Sequence, residues 1–90
     1  MKNIVEELRP IYDLAKSFYG KAIVEHEDDT INLYSYGHHV AQAKEGELLI
    51  DFNVPQVFSQ TSLRHIKEFA TQFTNMRYPS INELRACKQL

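Results

Sequence analysis

Apolar residues recur every three to four positions over Thr61–Phe73, TSLRHIKEFATQF, placing Leu63, Ile66, Phe69, Ala70 and Phe73 on one stripe. Arg64, Lys67, Glu68 and Thr71 fall on the opposite side, where Arg64 and Glu68 are spaced to pair at the surface. This pattern predicts an amphipathic helix over about Thr61–Asn75, with Ser59, Thr61 and Ser62 as competent N-caps. Similar spacing of Ile4, Val5, Leu8, Ile11, Tyr12, Ala15 and Phe18 predicts an N-terminal helix over residues 2–18, with Asn3 and Glu6 placed like a capping box. Pro10 interrupts it, because proline lacks an amide hydrogen and disfavours helical geometry at Arg9. Either a short helix ends before Pro10 or one helix kinks there.

Between these helices the pattern turns to strands. Lys21–Glu27, Thr30–Tyr36, His39–Lys44 and Glu47–Asn53 are short apolar or alternating runs, punctuated by Asp28–Asp29, Gly37 and Glu45–Gly46. In Thr30–Tyr36 the residues Ile31, Leu33 and Ser35 face one way, and Asn32, Tyr34 and Tyr36 the other. Beyond Pro79, Ser80 and Glu83 form a capping box that opens a last helix over about Ile81–Lys88. The expected fold class is α+β: an N-terminal helix, an antiparallel β-meander of three to four strands, a packed amphipathic helix and a short C-terminal helix. The Thr61 helix should cover the Leu33 face of the meander. Ninety residues predict a single small domain, whose small core favours a homodimer or higher oligomer.

A faint echo runs through the meander. Ser17–Asp29 and Tyr34–Gly46 align without gaps, with Tyr19–Gly20 opposite Tyr36–Gly37. The plain reading is two strand entries that each need glycine where the backbone bends.

Composition narrows the function classes. A net charge of −2 argues against sequence-independent nucleic-acid binding, leaving only a local basic patch. The single cysteine, Cys87, cannot form an intrachain disulfide. The N-terminal residues carry Glu6, Glu7 and Arg9 where a signal peptide needs an apolar run, and Leu48–Ile50 is far too short to span a bilayer. The expected location is the cytoplasm, with no membrane association.

Candidate chemistry is sparse. His38 and His39 are adjacent on a strand and point to opposite faces, and His26 and His65 stand apart from them, so no metal site and no cofactor are expected. The start of the Thr61 helix offers free amide hydrogens, the hydroxyls of Ser59, Thr61 and Ser62, and Arg64 and His65; it could hold a phosphate or carboxylate, or be only a cap cluster. Tyr34 and Tyr36 share a strand face in this reading. If that face is open they can anchor a partner or stack bases; if the N-terminal helix covers it, they are core or boundary residues. No nucleophile and base are spaced to act together, so an enzyme is not expected.

Three stretches carry a family resemblance: KSFYGKA (Lys16–Ala22), LYSYG with the following VA (Leu33–Gly37, Val40–Ala41) and TSLRHIKEF (Thr61–Phe69). Together they resemble a family of small domains of unknown function found in bacteriophages and in Gram-positive and gut bacteria, with SFYGKA, LxSYxTxVA and TTxRHIxEF motifs in this order. His38–His39 depart from that pattern, and Asn53–Ser59 lacks an aromatic loop, offering Val57–Phe58 instead. The resemblance implies a phage or mobile-element setting, and hence the host cytoplasm, but no activity. The leading expectation is an accessory protein that binds a host protein stoichiometrically, as an anti-defence inhibitor would. One alternative is a single-stranded nucleic-acid-binding module using Lys16, Lys21, Tyr34, Tyr36, Arg64 and Lys67. The other is a protein that binds or sequesters a small molecule such as a nucleotide at Ser59–Arg64.

Overall fold

The computed structural model describes residues 3–90. Its centre is one sheet of six strands in chain order: β1 (Ile4–Glu7), β2 (Ala22–Glu27), β3 (Thr30–Ser35), β4 (His38–Lys44), β5 (Glu47–Ile50) and β6 (Lys88–Gln89). The first five pair antiparallel, and β6 runs parallel to β5. Two helices, α1 (Gln60–Phe73) and α2 (Ile81–Arg85), lie in the connection from β5 to β6.

The hairpins close through Asp28–Asp29, Tyr36–Gly37 and Glu45–Gly46. Tyr36 and Gly37 have φ of 51° and 80°, and Glu45 and Gly46 have 53° and 80°, the left-handed pair that matches strand twist in a two-residue turn. A bulge interrupts the β3–β4 ladder. Leu33 pairs with Ala41 and Tyr34 with His39, so Val40 is the extra residue. Val40 and Ala41 are consecutive and both buried, which simple alternation would forbid.

The stripe on α1 closes the core. Ile66, Phe69 and Ala70 are fully buried in one cluster with Val24, Leu33, Val40 and Ile50, while Leu63 and Phe73 pack at its margin. Ser59 caps α1 by accepting the Ser62 amide at 3.3 Å. The capping box at Ser80 and Glu83 is formed as well.

The expected α+β layout is overturned: the molecule is largely sheet, with α1 and a short α2 behind it, and there is no N-terminal helix among the described residues. The start of that expected helix, at residue 2, lies outside the described residues. Ile4–Glu7 instead pairs with β2, and Asn3 caps nothing; its amide donates to Glu25 and Glu27. Past Pro10, the Tyr12 and Asp13 amides donate to the carboxylate of Glu68, so they have no helical partner. The apolar spacing that suggested the helix does not bury as a stripe: Leu8 and Phe18 are buried, but Ile4 is 64%, Val5 60%, Ile11 68% and Tyr12 58% exposed. The meander also exceeds three or four strands, because β1 and β6 extend it on both sides. The last helix stops at Arg85, three residues short of the expected Lys88. The free edge of β5 captures the tail, pairing Leu49 with Lys88 and accepting the Leu90 amide at Ile50.

Phe69→Asp places an unpaired charge at a fully buried position and removes an aromatic ring whose truncation alone costs about 3–5 kcal/mol. Its urea unfolding curve should lose its cooperative transition. Leu63→Asp, at a half-buried position, should retain a transition at lower urea.

Candidate functional site

Residues 9–20 cross the outer side of α1 instead of forming a helix, and a buried carboxylate holds them there. Glu68 has no exposure; it accepts the Tyr12 amide at 3.0 Å, the Asp13 amide at 2.8 Å and the Gln72 side-chain amide at 2.6 Å. Gln72 also donates to the Arg9 carbonyl at 2.8 Å. One turn earlier, Arg64 grips Asp13 with two guanidinium nitrogens, and the Tyr78 hydroxyl donates to the same carboxylate at 3.0 Å. Arg64 therefore does not pair with Glu68, as i, i+4 spacing suggested. The hydrogen bonds from Arg64 chiefly, aided by the Ala15 amide and Tyr78, hold the Asp13 carboxyl far below its ordinary range.

Two adjoining depressions result, with Arg64 common to both. One, of about 300 Å³, is bordered by Tyr12, Leu14, Arg64 and Tyr78. The other, of about 270 Å³, is walled by Phe18, Tyr19 and Tyr36, with Lys21, Thr61 and His65 also facing it. Tyr19 and Gly20, at φ of 54° and 72°, form a turn closed by the Lys21 amide on the Phe18 carbonyl at 3.0 Å. The echo between Tyr19–Gly20 and Tyr36–Gly37 thus has a physical content: two left-handed turns set two tyrosines at one cavity. The Tyr36 amide donates to the Lys21 carbonyl at 2.8 Å and joins them. Tyr78, on the neighbouring depression, also has positive φ, 37°. Left-handed backbone is costly for a bulky residue, so three of the rim tyrosines are held against their local preference.

His65 lies beneath the second cavity and is 1% exposed. Its Nδ1 is 2.8 Å from the Ser35 hydroxyl, which is 3.1 Å from the Ser62 hydroxyl. Phe18 meets the imidazole edge-on at 4.6 Å between centroids, and Tyr36 lies 5.7 Å away. Burial chiefly, and then the Arg64 charge, push the His65 pKa down from 6.5 to about 4, so the ring is neutral near pH 7. Ser35 is itself buried and does not face the cavity, which makes it a positioning partner for the imidazole.

Of the residues singled out from sequence, Tyr36, Thr61, Arg64 and His65 meet at this cavity. Lys67 lies close by, its ammonium 5.7 Å from the Tyr78 ring centroid. Ser59 is spent as the α1 cap. Tyr34 is separated from Tyr36 by the sheet. It stacks on His39 at 5.0 Å and donates to Glu25 on the face away from α1, where Asn32 and Gln42 continue a polar ladder. Tyr36 belongs to the turn and comes round to the α1 side. Sequence reasoning missed Asp13, Phe18, Tyr19 and Ser35 as parts of the site. Tyr19 had a signal in the repeated Tyr–Gly pair; Asp13, 51 residues from Arg64, had none.

Among the described residues, no group of three His, Cys, Asp or Glu side chains could hold a metal ion, and no helix is long and apolar enough to cross a membrane. The three stretches that carried the resemblance converge here, with Phe18, Tyr19 and Lys21 from the first, Ser35 and Tyr36 from the second, and Ser62, Arg64 and His65 from the third. A family model described as a family of unknown function (DUF8033) matches residues 6–84. The chain belongs to this family. The match to DUF8033 spans all three stretches and the whole groove beside α1. No curated protein and no solved structure matches the chain.

The depressed His65 pKa gives the stability a pH dependence. Between about pH 6.5 and 4 the unfolded chain takes up a proton at His65 that the folded chain refuses, so this contribution is full above 6.5 and lost on falling toward 4. The loss is about 3 kcal/mol at its largest, and urea unfolding of His65→Gln should lack that part of the slope. Tyr19→Asn relieves a left-handed tyrosine that is 80% exposed and should raise stability by about 1 kcal/mol, read from the urea midpoint.

Proposed function

We propose that the protein acts by stoichiometric binding, without catalysis, and that it docks a protein partner on the groove outside α1. The observation that carries this reading is the concentration of exposed large side chains there: Leu14 at 100%, Tyr19 at 80%, Tyr12 at 58%, Tyr36 at 48% and Tyr78 at 41%. Tyrosine and arginine are the residue types that anchor protein interfaces, and a backbone pinned through Glu68 and Asp13 loses little freedom on docking. Lys21, Arg64, Lys67 and Arg77 border the same depressions or stand beside them, which favours a partner with an acidic face. The resemblance supplies the setting of this proposal. In a phage or mobile element the partner is a host protein, and inhibition of a host defence is the use that fits.

A second reading draws on the same cations. Tyrosines beside Lys21, Arg64 and Lys67 are also the composition of a single-strand binding surface. Tyr34 no longer belongs to that set, since it lies across the sheet.

The test is a pull-down from nuclease-treated bacterial lysate, run beside Leu14→Asp. That side chain is fully exposed, so the variant should change stability by no more than about 0.5 kcal/mol. A protein held at near-equal stoichiometry by the parent and lost by the variant is the expected result. Retention of single strands from untreated lysate, weakening steeply with salt, would replace it with the second reading. Capture that is indifferent to Leu14→Asp would remove the groove from the function.

A further inference from the structure

We propose that the cavity over His65 is a binding site for a small planar ring bearing a carboxylate or a phosphate. Its volume of about 270 Å³ falls just below the usual range for drug-sized ligand pockets, roughly 300–1,000 Å³, and suits one ring with one substituent. Phe18, Tyr19 and Tyr36 supply aromatic walls against which such a ring can stack or pack edge-on.

The polar requirement comes from His65. The imidazole is 99% removed from solvent, and its Nδ1 is engaged by Ser35. Its Nε2 makes no hydrogen bond among the described residues. His65 lines the cavity, and in the proposed complex Nε2 is the ring atom that meets the ligand. A hydrogen bond made at a ring with 1% exposure is strengthened by the low local dielectric.

The sign of the ligand follows from the charges. Lys21 and Arg64 face the cavity and no carboxylate does. Arg64 is already compensated by Asp13, whereas Lys21 makes no ion pair among the described residues. An anion between Lys21 and His65 fixes the neutral tautomer with hydrogen on Nε2. Ser62 then donates to Ser35, Ser35 donates to Nδ1, and Nε2–H donates to the ligand, so the buried hydroxyl pair becomes the support that orients the donor. This inference concerns the cavity interior and holds whether or not a macromolecule docks on the rim.

The experiment uses the full chain, labelled with ¹⁵N, and the probes benzoate, phenyl phosphate, acetate and the neutral ring benzyl alcohol. At least one ring anion should shift the amides of Tyr19, Tyr36 and His65, bind about tenfold more tightly than benzyl alcohol, and yield an imidazole spectrum with the proton on Nε2. Acetate should bind more weakly than that ring anion. Lys21→Met, at an exposed position, should weaken the ring anion by about tenfold and leave benzyl alcohol unchanged. The proposal is overturned if neither ring anion perturbs these amides at 20 mM (about the 2 kcal/mol limit of detectable binding), or if benzyl alcohol or acetate binds as tightly as the ring anions. It is overturned equally if Nε2 stays unprotonated in the complex. None of these outcomes touches the docking reading, which is read from Leu14 and a macromolecular partner.

Discussion

The buried carboxylate of Glu68 is the constraint on which the functional side of this molecule depends. A carboxylate without exposure must be fully hydrogen-bonded to be tolerated. Here the donors are backbone amides from a distant part of the chain, Tyr12 and Asp13, together with Gln72 on its own helix. Satisfying Glu68 therefore fixes where residues 9–20 run. Asp13 is delivered to Arg64 by the same arrangement, and Phe18 is delivered to His65. The sheet and α1 supply the core, but this loop, tied to α1 through one carboxylate, supplies the groove.

The groove is made at a local cost. Tyr19, Tyr36 and Tyr78 adopt positive φ, a conformation that asparagine or glycine accepts more readily. All three border the connected depressions beside α1. Glu45 and Asp28 hold the same conformation in hairpin turns away from the groove, so strained turns are not confined to it. What distinguishes the tyrosines is that each turn presents a large ring to a common space. Under the docking proposal, stability and binding pull in opposite directions at these positions.

The chemistry of the groove fits the proposed binding role. Its histidine is neutral, its nearest hydroxyls are buried behind the ring, and its arginine is occupied by Asp13. Binding, with selectivity set by shape, aromatic walls and one cation, is what such a set does well. The opposite sheet face, where Glu25, Asn32, Gln42 and Tyr34 bond to one another, is self-satisfied and offers less to a partner.

Periodicity alone determined α1, because Ile66, Phe69 and Ala70 must bury together whatever covers them. It also located the hairpin turns at Gly37 and Gly46, where only a left-handed backbone closes two residues, and the Ser80 capping box, whose bonds are local. The residues before Gly20 were misread because helical spacing of apolar side chains does not reveal whether anything buries them, and Ile4, Val5 and Ile11 stay in water. Tyr34 and Tyr36 were placed on one face because alternation ignores the turn that begins at Tyr36. Arg64, His65, Thr61 and Tyr36 were visible as candidates one by one. Their meeting with Asp13, Phe18 and Ser35 was decided only by tertiary structure, because those contacts join residues 30 to 51 positions apart and no local pattern records a hydrogen bond of that range.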